Sequence, residues 1–115
     1  MEVITSITSD PKQRLVLKLD NNENAIMHLY FNPYVSSWYY DIEYYNYINR
    51  GNKVVLTLNA LRHLKKRLPF GISFLAGSNA EPFQLDDFAT SRIMMLLLNE
   101  EDVQELEDTV YSGEL

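Results

Sequence analysis

The strongest constraint on the fold is an aromatic run near the middle of the chain, Trp38–Tyr45. It contains the only tryptophan and four of the eight tyrosines, and aromatic residues favour strands because they fit a pleated, half-buried surface. Side chains alternate along a strand, so the run divides into two sets, which are Trp38, Tyr40, Ile42 and Tyr44 on one face and Tyr39, Asp41, Glu43 and Tyr45 on the other. We predict that the first face lines a core and that water or a partner covers the second, mixed face.

Other short alternating runs predict further strands. Gln13 to Asp20 and Ala25 to Phe31 flank a polar turn of about four or five residues, which is typical of a β-hairpin. The remaining predicted strands are Val3 to Thr8, Lys53 to Leu58, Phe70 to Ala76 and Arg92 to Leu98. We interpret residues 46–52 as a loop. The pattern predicts a mainly β fold, either a small antiparallel β-sandwich or a partly open barrel, with one or two short helices.

Two asparagines indicate helix starts, because an Asn side chain can accept a hydrogen bond from the first helical turn. Asn59 precedes an apolar spacing that predicts one to two helical turns, formed by Leu61, Leu64 and Leu68. Asn99 precedes a second apolar stripe, formed by Val103, Leu106 and Val110. We predict one β-rich domain over residues 1–98 and an acidic, helical segment over residues 99–115.

The charge of the chain is concentrated at its C-terminal end. The formal net charge is −6, and residues 99–115 hold seven of the 16 acidic residues and no Lys or Arg. Such a segment repels nucleic acid or meets a basic partner, so we expect no direct nucleic-acid binding. No apolar window approaches the length of a membrane span, and no membrane partner is expected.

No residue pattern points to catalysis. Asp41 and Glu43 share a strand face about 7 Å apart at Cα and could act as an acid–base pair or bind a cation, although exposed carboxylates on strands are common. His28 and His63 have no partner at metal-ligand spacing, and the absence of cysteine excludes thiolate chemistry. Motifs for a serine nucleophile or a nucleotide loop are also missing. We therefore predict no enzyme, no metal and no cofactor.

Two groups of residues suggest contacts with other molecules. A basic cluster, Arg62, Lys65, Lys66 and Arg67, could touch phosphates, lie in solvent, or pair with acidic residues of a neighbouring subunit. The tyrosines exceed what a small core holds, and Tyr is enriched in protein interfaces; stacking on bases or sugars is the competing use. The interface candidates are Tyr39, Tyr45, Tyr47, Arg62, Lys66, Val103 and Leu106.

The order of these signals carries a family resemblance. The chain shows in turn an alternating strand from Gln13, Leu29-Tyr30-Phe31-Asn32, Trp38-Tyr39-Tyr40-Asp41-Ile42, a Gly turn, Val54-Val55-Leu56-Thr57-Leu58, Leu61 with Leu64, Pro69-Phe70-Gly71 and a final apolar strand. This order resembles the small baseplate plug family of contractile-tailed bacteriophages, known from a cyanophage baseplate. The acidic segment after Asn99 has no counterpart in the resemblance.

The resemblance implies a structural virion protein of the tail baseplate, made in the bacterial host cytoplasm. Such proteins sit with the hub and spike at the distal end of the tail tube and help to close that end, and a three-fold or six-fold assembly is expected there. Two alternatives stay open from the residues: a free module that binds a glycan or host protein through its Tyr-rich face, and a small enzyme that uses Asp41 and Glu43.

Overall fold

The computed structural model describes residues 2–5, 7–64, 66–76, 84–85, 87–90 and 92–110. Its strands are β1 (Glu2–Val3), β2 (Lys12–Lys18), β3 (Asn24–Asn32), β4 (Ser37–Tyr44), β5 (Tyr47–Lys53), β6 (Gly71–Ala76) and β7 (Ile93–Leu98), with a 3-10 helix at Arg62–Leu64 and one α-helix, α1 (Glu100–Thr109). The protein is therefore mainly β, as the sequence predicts.

The strands form two antiparallel sheets. The four-stranded sheet has the order β2-β3-β4-β5 and follows the chain as successive hairpins. The three-stranded sheet has the order β1-β7-β6. Within the described residues the sheets stay separate and do not close into a barrel. Of the two architectures that the sequence left open, the structure shows the one with two sheets.

One core joins the two sheets. The inner face of the four-stranded sheet contributes Leu15, Leu17, Met27, Leu29, Trp38, Tyr40 and Ile42, and the other sheet contributes Ile72, Phe74, Ile93, Met95 and Leu97. The rings of Tyr40 and Phe74 contact each other across the core, with centroids 5.6 Å apart. The Trp38 indole N–H donates to the Gln84 carbonyl at 3.0 Å, so the buried aromatic ring keeps a partner for its one polar atom. The predicted inner face of β4 is confirmed.

The predicted loop over residues 46–52 is wrong, because these residues form most of β5. A two-residue turn at Tyr45 and Asn46 joins β4 to β5, and Tyr45 adopts a φ of 53°. An edge strand exposed on one side accepts polar residues, which is why the Asn-rich sequence gave no strand signal. Gly51, with a φ of 73°, lies at a bulge where its N–H donates to the Asp41 carboxylate at 2.9 Å.

The predicted strand from Lys53 to Leu58 is also wrong. β5 ends at Lys53, and the next residues pass from one sheet to the other. Val54 still donates to the Trp38 carbonyl at 2.9 Å, whereas Thr57 exchanges two 3.0 Å backbone hydrogen bonds with Phe74 of β6. The apolar character of this segment reflects its path beside the core and not membership of a strand.

Two other predicted elements are shorter than expected. Of the strand predicted from Val3 to Thr8, only Val3 lies in β1, and Ser6 lies outside the described residues. The helix predicted after Asn59 is a three-residue 3-10 helix. Leu61 and Leu68 are nevertheless buried in the core, because a tight turn ending before Pro69 is enough to turn both side chains inward.

Candidate interaction surfaces

The outer face of the four-stranded sheet is a network of paired polar side chains. Tyr39, Asp41 and Glu43 are half-buried on this face, as the alternation predicts. The Tyr39 ring stacks on Tyr30 with centroids 6.0 Å apart, and the Tyr30 hydroxyl donates to Asp41 at 3.0 Å. Partial burial and this hydrogen bond raise the pKa of Tyr30. The mixed face is thus held in one arrangement by contacts within the chain.

The two carboxylates of β4 have separate partners. Asp41 accepts from Tyr30 and from the Gly51 N–H, while Glu43 lies 3.0 Å from Nε2 of His28. Each carboxylate therefore stabilises its own part of the sheet, and the geometry gives no support to a shared acid–base role. In the described part of the chain no group of three or more His, Cys, Asp or Glu residues could hold a metal ion.

Tyr45 and Tyr47 lie at the β4–β5 turn, away from Tyr39. Tyr45 is 74 % exposed, and its ring contacts Tyr44. Tyr47 is half-buried against the core, with the Arg67 guanidinium 5.2 Å from its ring centroid. Tyr39 and Tyr45 are six positions apart along an extended stretch of chain, which is about 20 Å. A single sugar ring could not contact both, so Tyr39 and Tyr45 do not form one stacking platform for a single ring.

The basic cluster is divided by its contacts. Within the chain, Arg62 donates from its Nε and Nη2 to Glu107 of α1 at 3.1 and 3.2 Å. Lys66 and Arg67 are exposed, and Lys65 lies outside the described residues. Arg62 therefore has an acidic partner in its own chain, and contact of the cluster with a neighbouring subunit stays a prediction.

Helix α1 begins where the sequence predicts. Asn99 caps it by accepting from the Asp102 N–H at 2.8 Å, and the Asp102 carboxylate accepts from the Asn99 N–H at 3.2 Å. The Asn99 side-chain amide also donates to Asp20 in the β2–β3 turn at 2.7 Å. Val103 and Leu106 are half-buried and Val110 is 50 % exposed. The apolar stripe therefore faces the protein body over most of its length.

Two further features lie outside the predicted interface candidates. Tyr34 and Val35, in the turn between β3 and β4, are 95 % and 56 % exposed, and the Asn32-Pro33 turn signal could have placed them at a tip. A cavity of about 340 Å³ lies where the β2–β3 turn meets the start of α1, and Leu19, Pro69 and Phe70 contribute to its lining. These residues come together only through the tertiary fold.

The interface candidates therefore do not form one surface. Tyr39 lies on the outer sheet face, Tyr45 and Tyr47 at a hairpin end, and Arg62 is paired with α1.

No helix in the described part of the chain has the length and apolar character needed to cross a membrane.

Comparison with known proteins gives a family for the chain. No curated protein matches it. Residues 1–100 match the family described as "Cyanophage baseplate Pam3 plug gp18". The match covers every described strand of both sheets and ends at the first residue of α1. The chain therefore belongs to this family of phage baseplate plug proteins.

Proposed function

We propose that this protein is a structural subunit at the centre of a contractile tail baseplate, where it contacts the hub and spike at the distal end of the tail tube and helps to close that end. The observation that supports this most strongly is the match of residues 1–100 to a baseplate plug family. The proposal involves no reaction, so no residue receives a catalytic role and no cofactor is invoked.

The geometry of the outer sheet face supports a fixed structural part. Tyr30, Tyr39 and Asp41 hold one another in place, and His28 holds Glu43. Side chains that are already ordered lose little conformational entropy when a partner covers them. We propose this face, which includes Tyr39, as a contact surface for another baseplate protein, and the exposed Tyr45 and Lys66 as separate contacts elsewhere on the protein.

A subunit on the tail axis must match the symmetry of what surrounds it. Closed symmetric assemblies reuse the same patches on every copy. We therefore propose an oligomer of three-fold or six-fold symmetry, built from the β-rich domain of residues 1–98, with the acidic segment from residue 99 available for subunit contacts. Synthesis in the host cytoplasm and incorporation into the virion follow from this placement.

The test is quantitative mass spectrometry of gradient-purified phage particles from the source culture. We expect the protein at a few copies per particle, together with hub and spike proteins. A protein that is abundant in the lysate but absent from intact particles would refute a structural role and favour a free binding module.

A further inference from the structure

The exposed side of α1 is an acidic stripe with no basic residue. Glu101, Glu105 and Asp108 are exposed and follow one another at intervals of four and three residues, so they lie on one side of the helix. The half-buried Val103 and Leu106 lie between them in sequence on the other side. Asp108 accepts a hydrogen bond from Gln104 of the same helix, and this leaves the stripe negative along its whole length.

The outer side of β2 carries the opposite charge. Lys12, Arg14 and Lys18 are exposed and alternate with core residues along the strand. None of the three side chains forms an ion pair with another described residue. Beside them lies an open depression of about 370 Å³, whose lining is Lys12, Gln13, Arg14, His28, Leu29 and Tyr30.

These two charged surfaces lie on elements that pack on different sheets. Helix α1 contacts β7 of the three-stranded sheet. Leu96 and Leu98 lie on the face of β7 opposite to its core residues. Both are buried, but neither belongs to the core between the sheets. We therefore place α1 against this outer face of β7. Lys12, Arg14 and Lys18 lie on the outer face of the other sheet, and none of them pairs with an acidic residue of α1 in the described part of the same chain. The acidic stripe of one copy is therefore available to the basic strand of another copy.

The dimensions of the two surfaces agree. A helix of ten residues is about 15 Å long, and a strand of seven residues is about 23 Å long, so the helix can lie along the strand. Glu101 and Glu105 are about 6 Å apart along the helix axis, and Lys12 and Arg14 are about 7 Å apart along the strand. Two acid–base pairs can therefore form side by side with ordinary rotamers.

We propose that copies of this protein associate head to tail, with the acidic stripe of α1 (Glu101, Glu105 and Asp108) in one copy lying along the basic side of β2 (Lys12, Arg14 and Lys18) in the next. An interface between two different surfaces of identical chains produces a ring when the rotation closes. The inference deepens the oligomeric part of the proposed function and does not depend on the placement in the tail. Its acidic half begins where the family match ends, at residue 100.

The test is sedimentation velocity of the purified full chain over a range of concentrations. We expect self-association that weakens on raising the salt to about 0.5 M, where exposed charges are screened. Reversing the charge on either side, by Lys12→Glu with Arg14→Glu or by Glu105→Lys with Asp108→Lys, should raise the dissociation constant by roughly tenfold or more, because like charges then face each other.

Two controls fix the location of the contact. Arg50→Glu with Lys53→Glu makes the same chemical change on exposed residues of β5, at the other edge of the same sheet, and should leave association unchanged. Mixing the two charge-reversed proteins, or combining all four reversals in one chain, should restore association because each altered surface again meets an opposite charge. Circular dichroism of every variant verifies that the fold is kept.

The proposal is overturned by any of three results: a wild-type chain that stays monomeric at every concentration, β5 reversals that act as strongly as β2 reversals, or mixed variants that do not reassociate. Because the readout is the purified protein alone, these results do not bear on its presence in virions. Conversely, absence from phage particles would leave a salt-sensitive, charge-rescued interface intact.

Discussion

At the scale of single residues, the tyrosines differ because their surroundings differ. Tyr40 is 2 % exposed on the inner face of β4, while Tyr39, its neighbour in sequence, stacks on Tyr30 at the outer face. Burial disfavours the charged phenolate and raises the pKa of Tyr40 to about 12. Alternation along one strand thus gives adjacent identical residues different chemistry.

This pKa predicts a specific loss of stability in alkali. Because the folded state binds the Tyr40 proton more tightly than the unfolded chain, the contribution is complete below pH 10.0 and is lost as the pH rises toward about 12. Between pH 9 and pH 11 the wild type should lose about 1 kcal/mol more unfolding free energy than Tyr40→Phe, which cannot ionise there. Urea titrations followed by circular dichroism measure both. Equal losses in the two proteins would contradict the assignment to Tyr40.

At the scale of elements, α1 shows how local signals can be sufficient. Asn99, Asp102 and the acidic first turn predict the helix start from the sequence alone, and the structure forms the complete reciprocal pair of hydrogen bonds. β5 shows the reverse. Its residues, Tyr47–Lys53, have no strand pattern, and only the hydrogen bonds offered by β4 make them a strand.

The cap of α1 can be tested by substitution at Asn99. Asn99→Ala removes the acceptor for the Asp102 N–H and the contact with Asp20, and should lower the unfolding free energy by about 1 kcal/mol. Asn99→Ser keeps a capping oxygen but lacks the side-chain amide that donates to Asp20, so it should recover most of the loss. Hydrogen exchange at the first amides of α1 should follow the same order. If Ser is as harmful as Ala, the link to Asp20 is the important contact and the cap is not.

At the scale of the whole molecule, α1 packs against β7 of the three-stranded sheet, on the side away from the core between the sheets. Leu96 and Leu98 point away from the core between the sheets and are nonetheless buried. Arg62 joins α1 to the 3-10 helix through Glu107. The acidic segment therefore contributes to the folded body through its inner side, while its outer side stays available to a partner.

Removal of α1 tests this dual role. A chain truncated after Asn99 should expose Leu96 and Leu98 and lose about 2 to 4 kcal/mol of unfolding free energy, as expected for uncovering parts of two leucine side chains. It should also aggregate more readily, as judged by light scattering. Glu107→Gln keeps the helix and weakens only the ion pair, so it should cost far less. A truncated chain as stable and soluble as the full one would show that the stripe of Val103 and Leu106 does not stabilise the body.

The sequence predicted the elements whose signals are local. The alternation of Leu15, Leu17 and Leu19, the inner face of β4 and the cap at Asn99 all depend on neighbours in the chain, and all are found in the structure. The candidate site was predicted less well. Tyr39 and Glu43 were placed on the correct face, but the partner of Arg62 is 45 residues away in sequence, and no local pattern indicates such a pair.

The sequence by itself determined that this chain folds into a small β protein with an acidic helical end, because hydrophobic period, turn residues and capping residues act over a few positions. Only the tertiary structure decided that residues 47–53 form an edge strand and that residues 54–57 cross between sheets. Tertiary packing also decided that the acidic stripe of α1 and the basic side of β2 form no ion pair with each other within the described part of the chain. These outcomes depend on which distant segments supply hydrogen bonds and cover apolar surface, and that pairing is settled by the energy of the whole fold.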